Sequence, residues 1–130
     1  MSDNSKIHAS SSYLNFVRAL QNLKRSVSSP ILEPRDLSGI IKDFEMTYEL
    51  SWKVLKKVLL EAGHQSLGSK DVFTQAYRLG YLSNENVWLR MIEDRNHAAH
   101  VYDEEEARKI TSTIISDYVQ TFEGLLESLN

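Results

Sequence analysis

The chain contains no cysteine. That excludes a disulfide framework, cysteine-ligated zinc and a thiol nucleophile, and it is what a cytoplasmic protein would carry. Also missing is any stretch near the ~20 apolar residues that a membrane span requires. Met1 to Ser12 is polar and has no apolar run, so it reads as neither a signal peptide nor a membrane anchor. Positive charge is not in excess: 15 Lys and Arg against 18 Asp and Glu leave a formal charge of −3. This argues against a protein that coats nucleic acid through bulk electrostatics. Local contacts through Lys53, Lys56 and Lys57, or through Arg90 and Arg95, stay open, as does an enzyme that only visits its substrate.

What is present is a soluble helical pattern. At 130 residues, 42% hydrophobic and 25% charged, the chain suits one domain with a real core and needs no metal to staple it. Tyr13, Phe16, Val17, Leu20, Leu23 and Val27 step by three and four, which predicts a helix from about Lys6 to Val27. Ser28-Ser29-Pro30 and Pro34, the only two prolines, are expected to break it and supply a loop. A second helix is expected from Asp36 to Ala62, stopped by Gly63. Its stripe runs through Leu37, Ile40, Ile41, Phe44, Tyr48, Trp52, Leu55, Val58 and Leu59. Met46, Leu50, Val54 and Leu60 lie off that stripe, so the helix should sit centrally or at a subunit contact.

A shorter helix is predicted over Lys70 to Leu79, ending at Gly80, and a third long one starts near Asn84 with Val87, Trp88, Met91 and Ile92 inward. For the last helix Asp103 is the N-cap and Glu106 its capping-box partner. Ala107, Ile110, Ile114, Tyr118, Phe122, Leu125 and Leu129 carry it to the C-terminus. The expectation is an all-α, antiparallel up-down four-helix bundle with a short extra helix, a single domain over 1–130 with residues 1–5 flexible.

Chemistry concentrates in Arg95-Asn96-His97-Ala98-Ala99-His100-Val101-Tyr102, which joins a permanent cation, two imidazoles and a phenol where a helix is expected to end. On an unbroken helix Arg95 and His100 would lie about 140° apart, at 100° per residue. To converge, the helix must end or bend between them, or a second copy must complete the site. The end of the third helix favours a cationic imidazole, and the start of the fourth offers free N–H groups to a phosphate. Glu104, Glu105 and Glu106 crowd that start, so any phosphate is placed nearer Arg95.

Blander readings stand beside this one. Arg95 would pair with a neighbouring acid, His97 and His100 would be ordinary polar residues, and Tyr102 a core aromatic. Asp94, His97 and His100 step by three and span about 120° of helix surface, a thin basis for a metal site without further spaced ligands. The Phe44, Tyr48, Trp52 row reads as core rather than a base-stacking platform. Glu45 and Glu49 read as a solvated face rather than an acid pair.

Arg95, His100 and Tyr102 also match an R-x4-H-x-Y pattern. Together with FEMTYELSWK over Phe44 to Lys53, Trp88-Leu89, Met91-Ile92 and Asp94-Arg95-Asn96, this stretch resembles the HEPN superfamily in its prokaryotic toxin branch. The similarity is to the group described as nucleotidyltransferase substrate-binding proteins, and it spans the chain from the second helix onward. The resemblance implies a helical bundle that forms a homodimer, two motif copies sharing a cleft. It implies metal-independent endoribonuclease activity on an RNA substrate, with no cofactor, neutralised by a minimal nucleotidyltransferase antitoxin that in some cases attaches AMP to the motif tyrosine. Carried onto this chain, Arg95 and His100 would be catalytic and Asn96 would assist. Tyr102 would be the modified or phosphate-contacting hydroxyl, and His97 and Asp94 auxiliary. The alternative is a non-catalytic subunit that holds a nucleotide or other substrate for a separately encoded nucleotidyltransferase.

Overall fold

The structure, a computed structural model, describes residues 5–101 and 103–130. Its elements are α1 (Ser5–His8), α2 (Ser11–Ser28), α3 (Pro34–Glu61), α4 (Ser69–Arg78), α5 (Glu85–Ala98), α6 (Glu104–Thr113), a π-helical segment (Ile114–Tyr118) and α7 (Val119–Ser128). Among the described residues the fold is all-α. No helix is long and apolar enough to cross a membrane.

Four rods make the body: α2, α3, α5, and the continuous α6–π–α7 unit. Side-chain pairs give their directions. Ser26 meets Asp43 while Thr47 reaches back to the Ala19 carbonyl, so α2 and α3 run antiparallel. Arg90 meets Asp117 while His97 faces Glu106, so α5 runs antiparallel to the last rod. The core between them is strongly aromatic. Phe44 of α3 stacks on Tyr118 (centroids 5.4 Å apart) and touches Phe122 (6.2 Å), which meets Phe16 of α2 and Trp88 of α5 edge-on. Phe16, Phe44, Tyr118 and Phe122 have no solvent exposure at all. Side chains of this size each contribute about 1.5–3 kcal/mol on burial, and this cluster joins all four rods.

Three boundaries differ from the sequence expectation, each for a local reason. The first helix is two: Ser10 interrupts it, its hydroxyl accepting from the Tyr13 amide (3.2 Å) and donating to the Ile7 carbonyl (2.6 Å). That hydroxyl offers the backbone an alternative to helical bonding. Pro34 is the first residue of α3 and not part of the loop. At a first turn its missing N–H costs nothing and its fixed φ is already helical. Glu33 and Asp36 close a capping box around it. The last helix is not uniform, since five residues take π geometry, the Val119 amide bonding to the Ile114 carbonyl five residues back. The remaining boundaries fall within a residue or two of those expected. Gly63 and Gly80, with φ of 89° and 86°, end α3 and α4 in a conformation that disfavours any side chain.

Candidate functional site

The motif occupies the last turn of α5 and the corner that follows. Asn84 caps the helix at its start, its side chain accepting from the Val87 amide. Trp88 and Met91 then anchor it in the core. Helical geometry ends at Ala98, and the His100 amide closes a turn onto the His97 carbonyl (2.9 Å). The helix therefore stops between Arg95 and His100, so the 140° separation of an unbroken helix does not apply. The chain re-enters a helix at Asp103, whose carboxylate accepts from the Glu106 amide (2.8 Å). That half of the expected capping box is present. The Glu106 carboxylate itself lies 4.0 Å from His97 Nε2.

Arg95 is half-buried, and its Nε is sealed from solvent with no hydrogen-bond partner among the described residues. No ion pair to it exists among those residues either, so the reading in which a neighbouring acid neutralises it is not what the fold builds. The adjacent acid, Asp94, is engaged elsewhere: its carboxylate accepts from the Tyr118 hydroxyl. The charge of Arg95 is felt by Tyr48, a buried phenol of α3 that donates to Ser69 Oγ (3.0 Å). Burial pushes the Tyr48 ionisation upward, and the Ser69 hydrogen bond and the Arg95 charge oppose it.

Asn96, His97 and His100 are exposed. No hydrogen bond or ion pair joins Arg95 to His100 within the chain among the described residues. Tyr102, the phenol of the motif, lies outside the described residues. A shallow cleft of about 310 Å³ is lined by Asp94, His97, Glu106, Lys109, Ile110 and Thr113. A second, of about 370 Å³, lies between α3 and the corner, against Leu37, Ile41, Ala98, Val101 and Asp103. The motif is thus flanked by hollows on both sides. Among the described residues no group of three or more histidines or acids has the geometry of a metal site.

These features sit in a chain whose residues 11–130 match the family model described as "Nucleotidyltransferase substrate binding protein like". The chain belongs to that family. It is 31% identical over 104 residues to a protein of Haemophilus influenzae named "Probable ribonuclease HepT", covering 76% of this chain and 70% of that one. A crystal structure from Thermus thermophilus superposes with a TM-score of 0.82 at 30% identity, covering 88% of this chain and 98% of that one. A Haemophilus influenzae structure, described as having the fold of a substrate binding domain of a nucleotidyltransferase, gives 0.78 at 28% identity, covering 88% and 96%. Membership in the family settles the resemblance seen from Phe44 to Tyr102 and the all-α fold.

Sequence reasoning missed Tyr118, which takes Asp94 out of play, and read Arg90 only as a local nucleic-acid contact. Arg90 Nε donates to the Tyr118 hydroxyl (3.4 Å), and its Nη2 lies 2.6 Å from Asp117. Tyr118 entered the pattern only as a core aromatic. The available signal was its hydroxyl, which a buried tyrosine must satisfy.

Proposed function

We propose that the protein is the toxin of a toxin–antitoxin pair, a metal-independent endoribonuclease regulated by a cognate minimal nucleotidyltransferase. The observation that carries this reading is Arg95: a half-buried guanidinium without an acid partner among the described residues, five residues before an exposed imidazole at a helix corner. A guanidinium fork matches phosphate oxygens in two places and can hold charge that builds on a scissile phosphate. His100 would move the proton of the 2′-hydroxyl, a role worth about 10²–10⁴-fold. The oxygen so freed attacks the adjacent phosphorus, the P–O5′ bond breaks, the 5′-oxygen leaves as the alcohol with a proton from solvent or from the imidazolium, and a 2′,3′-cyclic phosphate results. Asn96 would assist from the exposed side of the same turn. The similarity to a probable ribonuclease supports the same assignment.

RNA cleavage in EDTA by wild type, Arg95→Ala and His100→Ala tests it. Wild type is expected to leave cyclic-phosphate ends, and each variant to lose on the order of 10²-fold or more. Equal cleavage by all three would end the proposal.

A second reading has specific support. The family description and the net charge of −3 both suit a non-catalytic subunit that holds a nucleotide for a separate nucleotidyltransferase. Tyr102 would then be an AMP acceptor without any loss of ribonuclease activity to explain. Incubation with the partner and ATP, followed by mass spectrometry, locates any adenylate. Toxicity on expression that His100→Ala abolishes favours the ribonuclease, and harmless expression with nucleotide binding favours the subunit.

A further inference from the structure

The motif rides on a stretch of helix that meets the core through few and mostly small apolar contacts. In α5 the residues buried against the core are Trp88, Met91 and Ala98. Of the six residues between Met91 and Ala98 none is fully buried, and Glu93, Asn96 and His97 are exposed. Apolar contact therefore fixes the beginning of the helix through large side chains, and the rest only through half-buried Ile92 and the small Ala98. Two polar contacts tie this stretch to the last rod. One is the loose approach of His97 to Glu106 at 4.0 Å, the imidazole exposed and the carboxylate partly so. Such a pair holds little on its own. The other is the hydrogen bond from the Tyr118 hydroxyl to the Asp94 carboxylate.

Tyr118 is well built for holding a helix at a fixed rotation. Its side chain has no solvent exposure, and its ring lies flat against Phe44, 16° between planes. Its hydroxyl binds α5 twice, donating to Asp94 and accepting from Arg90 one turn earlier. Arg90 also sits over the same ring, 5.6 Å from its centre, and is clamped by Asp117 from the π segment. Asp94 and Arg90 are four apart and so share one face of α5, the face turned to the rod. Arg95 follows Asp94 directly, about 100° around the helix. Whatever fixes the rotation at Asp94 fixes the direction of Arg95.

We propose that Tyr118 is a positioning residue, a phenolic strut from the π segment that sets the orientation of the α5 tail and thereby aims Arg95 and the corner carrying His100. For its effect on turnover this assignment rests on the ribonuclease reading of the site; for its effect on the helix it does not. Burial and the Asp94 carboxylate push the Tyr118 ionisation far upward, so the strut stays a neutral donor at neutral pH.

The experiment compares wild type, Tyr118→Phe, Asp94→Ala and Asp94→Asn by amide hydrogen exchange and by RNA cleavage kinetics. Tyr118→Phe keeps the ring, and its global stability is checked by thermal melting. Exchange over residues 94–98 is expected to quicken about tenfold in Tyr118→Phe and in Asp94→Ala, with α2 and α3 unchanged. Asp94→Asn, whose amide oxygen still accepts, should retain most of the protection. In cleavage, kcat should fall on the order of 10²-fold in Tyr118→Phe, since small misplacements carry such costs, while KM moves little. Unchanged exchange in Tyr118→Phe overturns the inference, whatever the activity. Quickened exchange with full wild-type kcat overturns the link to the motif. Quickened exchange in a protein that never cleaves RNA leaves the strut standing and removes the ribonuclease reading instead.

Discussion

Arg95 is asked to be two things, a packed side chain and a free cation. Its Nε is shut away from water without a partner among the described residues, a position that costs roughly 1–3 kcal/mol for an ordinary polar group. A core residue would relieve this with an acid. Here the neighbouring acid is spent on a tyrosine. The shape of the guanidinium should therefore matter as much as its charge. Arg95→Lys keeps the charge but loses the planar fork, and is expected to lower RNA cleavage by about tenfold or more without lowering the melting temperature. Cleavage near wild-type level in that variant would show that a point charge suffices. At this scale the sequence was informative about which groups cluster: Arg95, Asn96, His97 and His100 do share the end of α5 and the corner beyond it. It was silent on which of them have partners. The link from Asp94 to Tyr118 crosses 24 residues of chain, and no local spacing reports it.

Among the helices, a contrast between two rods explains why one expectation held and another did not. Phe44, Tyr48 and Trp52 are spaced by four, and so are Ile114, Tyr118 and Phe122. An α-helix turns about 400° over four residues, so such a row drifts by about 40° at each step. In α3 the drift shows: Phe44 and Tyr48 are buried, while Trp52 is partly exposed and donates to Glu49 (3.1 Å). In the last rod Ile114, Tyr118 and Phe122 all stay at zero exposure. The π segment spends extra residues on its turn and takes up the drift. Periodicity alone fits both cases, which is why the helix was legible and its geometry was not. The start of α3 also carries a pH signature. Asp36 accepts from the Leu32 and Glu33 amides (2.8 and 3.0 Å), and these bonds hold its carboxyl below the usual value of 3.8. A depressed folded-state value means the stabilisation is present above that usual value and is lost as pH falls through the lower one. The melting temperatures of wild type and Asp36→Ala should differ steadily above about pH 5 and converge below 3.8. A gap that persists at low pH would assign the effect to something other than the carboxylate.

For the molecule as a whole, the question is how an arginine and a histidine with no hydrogen bond between them among the described residues come to serve one phosphate. A second copy of the chain is the proposed answer, and α3 offers apolar surface for it. Met46 and Leu60, which fell off the core stripe, are 54% and 57% exposed, whereas Val54, also off the stripe, is fully buried. Light scattering at micromolar concentration is expected to give twice the monomer mass, and Met46→Glu to reduce it. A monomer in the wild type would return the site to a single chain. The acidic corner beside the motif has a further consequence. Glu104, Glu105 and Glu106 line the first turn of α6, and Glu104 and Glu105 are engaged by Arg108 and Lys109. A polynucleotide laid across this end meets few unspent cations, so few condensed counterions would be released when it binds. For single strands each neutralised phosphate contributes about −0.7 to the slope of log affinity against log salt. A protein that grips one phosphate per motif would show a slope near that value, or about twice it for two motifs. Over a tenfold rise in electrolyte its hold on the substrate would then weaken only about 5-fold for one motif or about 25-fold for two, far less than for a protein that coats many phosphates.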